Sequence, residues 1–61
     1  MSYGTMRKFV RVWALAGRHY EIKYFHDFEV IDDDYETAYR EARNFVRARR
    51  HYLLNYEEIT E

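Results

Sequence analysis

Between residues 19 and 31 apolar and polar side chains alternate. Tyr20, Ile22, Tyr24, Phe28 and Val30 share one face, and Glu21, Lys23, Asp27 and Glu29 share the other. A period of two predicts a strand with one face buried. The preceding run, MRKFVRVWALA at residues 6–16, is rich in β-branched and aromatic residues and predicts a second strand. Gly17 stands between them, so the pair predicts an antiparallel hairpin.

The turn decides which face of the first strand is buried. If Gly17 and Arg18 form a two-residue type II′ turn, glycine takes the first central position, as that turn prefers. Ala16 then faces His19 and Trp13 faces Ile22. The buried set becomes Phe9, Trp13 and Leu15 with Tyr20, Ile22 and Tyr24. A three-residue turn buries Val10, Val12 and Ala14 instead and exposes the tryptophan, because one step of slip exchanges the faces. Side-chain volume favours the first register, with Arg11 reaching out of the core edge.

Beyond the second strand the period changes. Tyr35, Ala38, Tyr39, Ala42, Phe45 and Val46 fall on one face at helical spacing. Asp33, followed three residues later by Glu36, fits a capping box with aspartate in place of Ser/Thr. Acids at the start and arginines at the end suit the helix dipole. The two alanines predict a helix lying close to the sheet. Residues 52–59, YLLNYEEI, are open to two readings: a third strand (ββαβ) or a continuation of the helix that would place Arg49 inside the apolar stripe. A bare hairpin is marginal, which favours the third strand. The expected fold class is therefore α+β. An antiparallel hairpin (about 6–16 and 19–31) packs on one amphipathic helix (about 34–50), in a single domain 1–61 with a loose N-terminus at 1–5.

A chain of 61 residues forms one small domain, and such a domain buries only about 60% of the surface its unfolded form exposes. With no cysteine there is no disulfide and no thiolate metal site, which suits a reducing compartment. No apolar run approaches the roughly 18 residues of a membrane span, and residues 1–5 lack the apolar centre of a signal peptide. A soluble intracellular protein is expected. Net charge is −1, so the chain is not broadly a polyanion binder, but the charges are segregated. Residues 27–36 hold Asp27, Glu29, Asp32, Asp33, Asp34 and Glu36 without a base. Residues 40–50 hold Arg40, Arg43, Arg47, Arg49 and Arg50 against Glu41 alone.

These features define the candidate sites. Arg40, Arg43, Arg47 and Arg50 line one helix flank, and arginine forks match carboxylates and phosphates. A solvated outer face, with Glu36 paired to Arg40 at i,i+4, is the leading reading of this stripe, while the weak repulsion between Arg43 and Arg47 leaves an external partner open. The acidic block at Asp32 offers a surface that imitates a nucleic-acid backbone, but it lacks the glycine of a calcium loop, and capping with turn formation accounts for two of its three aspartates. His26 falls on the apolar side of its strand and is expected to be buried and hydrogen-bonded. His19 and His51 look exposed, and the three match no compact zinc spacing. Nothing in the chain suggests a nucleophile, a phosphate loop or a catalytic carboxylate pair; neither a cofactor nor a catalytic residue is assigned. One helix covers one face of a hairpin, so the other face, with Phe25 and Lys23 on it in either register, needs a cover of its own.

The strand, acidic turn and helix of FEVIDDDYETAYREA, from Phe28 to Ala42, resemble a pattern in very small phage- and plasmid-encoded proteins, the DpnD/PcfM-like group among them. Small phage inhibitors, including anti-CRISPR proteins, are similar in being short, free of cysteine, rich in tyrosine and segregated in charge. The resemblance implies a non-catalytic inhibitor in the cytoplasm of a bacterial host, acting by steric block of a host protein such as a nucleic-acid enzyme. It carries over no functional residue. Two other functions are open from the residues: a small nucleic-acid-binding protein using the arginine stripe, and a self-associating subunit that forms a homodimer.

Overall fold

A computed structural model describes residues 6–61 and shows four elements in the order ββαβ. They are β1 (Lys8–Ala16), β2 (Ile22–Glu29), α1 (Tyr35–Ala48) and β3 (Tyr52–Thr60). The strands form one antiparallel sheet in the order β2-β1-β3, so the first strand lies at its centre. The C-terminal segment is thus the third strand and not more helix. The expected loose terminus at residues 1–5 lies outside the described residues. No helix among them is long and apolar enough to cross a membrane.

The helix covers one face of the sheet. Its small residues Ala38 and Ala42, with Val46, meet Val10, Val12 and Ala14 of β1 and Val30; all seven are buried. Larger residues close the rim: Tyr24, Phe28, Tyr35, Tyr39, Phe45, Leu53 and Tyr56. The buried face of β1 is therefore the valine–alanine face, and the register preferred from side-chain volume is overturned. Trp13 pairs with Phe25, not Ile22, and Ala16 pairs with Ile22. The reason lies in the connection, which runs for five residues, 17–21, instead of two. Gly17 (φ 98°) and Tyr20 (φ 56°) both adopt positive φ. The Tyr20 N–H reaches the Gly17 carbonyl at 3.2 Å, and the Glu21 carboxylate accepts the His19 N–H at 3.0 Å. Adding three residues to the turn shifts the register by an odd number and exchanges the faces. Tyr20 and Ile22, expected in the core, are 50% and 54% exposed. The outcome also follows from spacing: a helix seated through alanines leaves no room for a tryptophan beneath it.

Both ends of α1 are capped by local chemistry. The N-cap is Asp34, one residue later than the predicted Asp33. Its carboxylate accepts the Thr37 N–H at 3.1 Å and the Thr37 hydroxyl at 2.6 Å, so the partner is Thr37 and not Glu36. These bonds hold the Asp34 carboxyl below the usual carboxylate range. Asp32 (φ 53°) and Asp33 (φ 56°) are the central pair of a turn closed by Asp34 N–H to the Ile31 carbonyl at 2.9 Å. Positive φ at both positions makes it type I′, a conformation that aspartate tolerates. Asp33 also meets Lys8 Nζ at 2.7 Å.

At the other end, Arg50 N–H bonds the Arg47 carbonyl at 3.0 Å and His51 N–H bonds the Val46 carbonyl at 3.1 Å. That pair of bonds is a Schellman motif with Arg50 in the left-handed region (φ 59°), the position glycine normally fills. An arginine there costs about 1–2 kcal/mol in backbone strain. Replacing it by glycine relieves this, less the entropy glycine gains in the unfolded chain. Arg50→Gly is expected to raise stability by about 0.5–1 kcal/mol, measured as a higher denaturant midpoint at an unchanged m-value. A lower midpoint would contradict the cap.

Candidate interaction surfaces

The uncovered sheet face carries a connected set of aromatic and charged side chains. From β1 come Phe9, Arg11, Trp13 and Leu15, and beside them lie Lys23, Phe25, Asp27 and Glu29 of β2. On the other side β3 contributes Ile59, Glu57, Asn55 and Tyr52. A register shift between Trp13 and Ala14 leaves Leu54 as a bulged residue on β3. Arg11 donates both Nε–H and Nη2–H to the Asp27 carboxylate, at 2.7 and 3.0 Å, and its guanidinium lies 4.0 Å from the Phe25 ring centre. Those hydrogen bonds hold the Asp27 carboxyl below its ordinary range and push Arg11 up. Trp13 and Phe25 pack with ring centres 5.0 Å apart, Lys23 Nζ sits 5.3 Å from the tryptophan, and Trp13 Nε1–H donates to Glu57 at 3.1 Å. At the far end Arg7 meets Glu29 at 3.4 Å and lies over Phe9. Arg7, Arg11 and Lys23 balance Asp27, Glu29 and Glu57, so this face has no excess of positive charge to draw a polyanion.

The helix flank is electrostatically different. At 100° per residue, Glu36, Arg40, Arg43 and Arg47 cluster on the side away from the core alanines. Arg40 is only loosely held by Glu36, at 3.9 Å, with both side chains more than half exposed. Arg43 and Arg47 make no ion pair among the described residues. Arg50, predicted as the fourth member of the stripe, lies past the helix end in the cap. Arg49, though exposed, is held against the helix: its guanidinium sits 3.6 Å from the Phe45 ring centre and donates to the Phe45 carbonyl at 3.1 Å. Beside the stripe, Glu36, Tyr39, Arg40, Arg43 and Tyr56 line an open groove of about 280 Å³ between α1 and β3. Along its wall the Tyr39 hydroxyl donates to Glu58 at 2.6 Å, a bond that pushes the phenol up to about 12.

The residues singled out from the sequence thus fall on three separate surfaces. Phe25 and Lys23 lie on the open sheet face, Arg40, Arg43 and Arg47 on the helix flank, and Asp32 in the exposed β2–α1 turn. Asp32 borders a wider concavity of about 490 Å³ that includes Arg7, Lys8 and the largely exposed Met6 and Ile31. The histidines differ from expectation. His26 is exposed and stacks on Phe45 (centres 4.5 Å apart, planes 17° apart) while meeting Phe28 edge-on. His51, expected exposed, is half-buried and shares a 2.6 Å hydrogen bond with the Tyr24 hydroxyl. No group of three or more His, Asp or Glu side chains among the described residues is placed to hold a metal ion. The Trp13–Glu57 and Tyr39–Glu58 contacts join residues 44 and 19 positions apart, with no local sequence pattern to announce them. Comparison with protein-family models, with curated proteins and with solved structures finds no match for this chain.

Proposed function

We propose that the protein is a non-catalytic protein-binding module, of the kind phages and mobile elements use to inhibit a host protein by steric block in the bacterial cytoplasm. The observation that carries this reading is the exposed Arg43–Arg47 pair. It stands beside an aromatic-walled groove and is unpaired among the described residues, while Arg7, Lys8 and Arg11 are each engaged by an acid. Arginine and tyrosine are the side chains that most often anchor protein contacts. The phage-like strand–turn–helix pattern supports the origin.

The same arginines would also accept phosphates. Charge along the helix argues against an extended nucleic-acid track, however. Arg40 to Arg47 spans about 10 Å at 1.5 Å per residue, room for one or two phosphates. The turn just ahead of the helix, with Asp32, Asp33 and Asp34, repels the next ones. A folded acidic protein surface of limited extent fits better.

The test is affinity capture from a bacterial lysate, comparing the wild type with Arg43→Glu/Arg47→Glu by quantitative mass spectrometry. The expected result is at least one captured protein depleted about tenfold or more by the double charge reversal, the loss of about 1.4 kcal/mol or more of contact. Identical capture by both forms would overturn the flank as the contact. Retention on DNA or RNA that falls steeply with salt would favour the nucleic-acid reading instead.

A further inference from the structure

We infer that the open sheet face is covered by a second copy of this chain, packed face to face about a two-fold axis that runs across the strands through the Phe25–Trp13–Asn55 row. The inference does not rest on the role proposed for the helix flank, which lies on the opposite side of the sheet.

Two independent observations carry it. The first is where the large side chains are. Among the described residues the buried core consists of valines and alanines, while Trp13, Phe25, Phe9 and Leu15 lie on the uncovered side. A domain of this size is marginal with one such core, and covering the second face supplies the missing burial. The second is the order of charges. On β2 the open-face sequence is Lys23, Phe25, Asp27, symmetric about the phenylalanine with opposite charges at its ends. A two-fold axis across the strands reverses each strand over its own counterpart. Lys23 then faces the partner's Asp27, and Asp27 faces the partner's Lys23. Phe25 and Trp13 meet their own counterparts at the centre.

The neighbouring strands follow the same rule. Leu15 falls over the aliphatic stem of the partner's Arg11, and Tyr52, registered beside Leu15, falls over the partner's Glu57, to which its hydroxyl can donate. Asp27 retains acceptor capacity after its two bonds from Arg11, since a carboxylate offers about four lone-pair sites. The other in-plane axis, along the strands, would set Asp27 against the partner's Glu57, a like-charge contact that disfavours it. Only one of the two arrangements is self-complementary. The resulting dimer is a closed α-β-β-α sandwich with both arginine flanks outward.

The contact is small. Two strands of nine residues and one of eight, about 4.8 Å apart at about 3.3 Å per residue, give a footprint of roughly 410 Å² on each partner, or about 820 Å² in total. That is below the about 1,000 Å² of a stable specific interface and in the range of weak, transient contacts. The dimer is therefore expected to be weak and reversible. Sedimentation of the full chain from low micromolar to millimolar concentration tests it. The wild type is expected to pass from monomer to dimer. Lys23→Asp sets aspartate against aspartate and is expected to weaken the dimer at least tenfold; Asp27→Lys, lysine against lysine, is expected to do the same. Mixing the two variants restores both pairs, so a heterodimer is expected where neither variant associates alone.

Lys23 forms no ion pair within the described fold, so Lys23→Asp remains informative even if Asp27→Lys, which loses the Arg11 bond, fails to fold by circular dichroism. A wild type that stays monomeric throughout would overturn the inference. So would a dimer indifferent to Lys23→Asp, which would be held by the free edges of β2 or β3, or two folded variants that fail to recover on mixing. Arg43→Glu/Arg47→Glu is expected to leave dimerisation unchanged, which separates this outcome from the role of the flank.

Discussion

Substituting leucine for Ala42 is expected to remove at least about a third of the stability of this domain. Ala42 is fully buried on the helix face that meets the valines of β1, and Ala38 one turn earlier is buried as well. The pair sets the distance between helix and sheet. Three extra heavy atoms at that point cannot be taken up by rotamer change in a close-packed core, so the helix must lift or tilt. Overpacking of this kind costs about 1–3 kcal/mol, and the upper end applies where the backbone itself must move. A chain of this length has only about 3–9 kcal/mol in total, at the usual stability per residue. A cost of about 3 kcal/mol should lower Tm by about 12–24 °C, read by far-ultraviolet circular dichroism. Ala42→Gly, which loses helix propensity and one buried methyl without adding volume, should cost about 2 kcal/mol. A leucine variant no less stable than the glycine one would show that the helix is not seated through this residue.

Phe45→Ala should be the next most damaging change, through a different mechanism. Phe45 is half-buried and ties α1 and its C-cap to β2: His26 stacks on it at 4.5 Å, Phe28 meets it edge-on at 5.5 Å, and Arg49 lies over it at 3.6 Å. A fully buried Phe→Ala change costs about 3–5 kcal/mol. Allowing for the exposed part of the ring, about 2–3 kcal/mol is expected here. The loss should be shared with its neighbours. His26→Ala removes the stack on Phe45 and the edge-on contact with Phe28, each worth about 0.5–1.5 kcal/mol at most. In a double-mutant cycle the two changes should be non-additive, because each removes the same ring pair. Additivity within about 0.3 kcal/mol would mean that the stack contributes nothing to stability.

These two predictions mark the two kinds of contact that make the fold. The alanine–valine seam is a core of small parts, and the aromatic set at the helix C-terminal end is a clamp on its rim. Neither uses the large apolar residues of the open sheet face. That separation is why the molecule has two chemically distinct outer surfaces: a neutral, aromatic sheet face and a basic helix flank.

The sequence by itself determined the types of the first three elements and the apolar helix face, while residues 52–59 are open in it to both strand and helix. A period of two in residues 19–31 and a period near 3.6 in residues 35–46 each reflect which side of an element leaves water, and that is a local property. Two of the three aspartates before the helix were accounted for by capping and turn formation, though the cap itself fell one residue later, because Thr37 offers both an N–H and a hydroxyl to Asp34. Tertiary structure alone decided the face that β1 buries and the end of the helix. The first depends on a five-residue turn whose Tyr20 takes positive φ, and no rule of composition distinguishes it from the shorter turn that Gly17-Arg18 suggests. The second depends on Arg50 entering the left-handed region without being glycine, which is favourable only because His51 and β3 beyond it have somewhere to pack. Periodicity reports what each segment prefers alone; register and termination are settled by the free energy of segments meeting, and that is not written in any one of them.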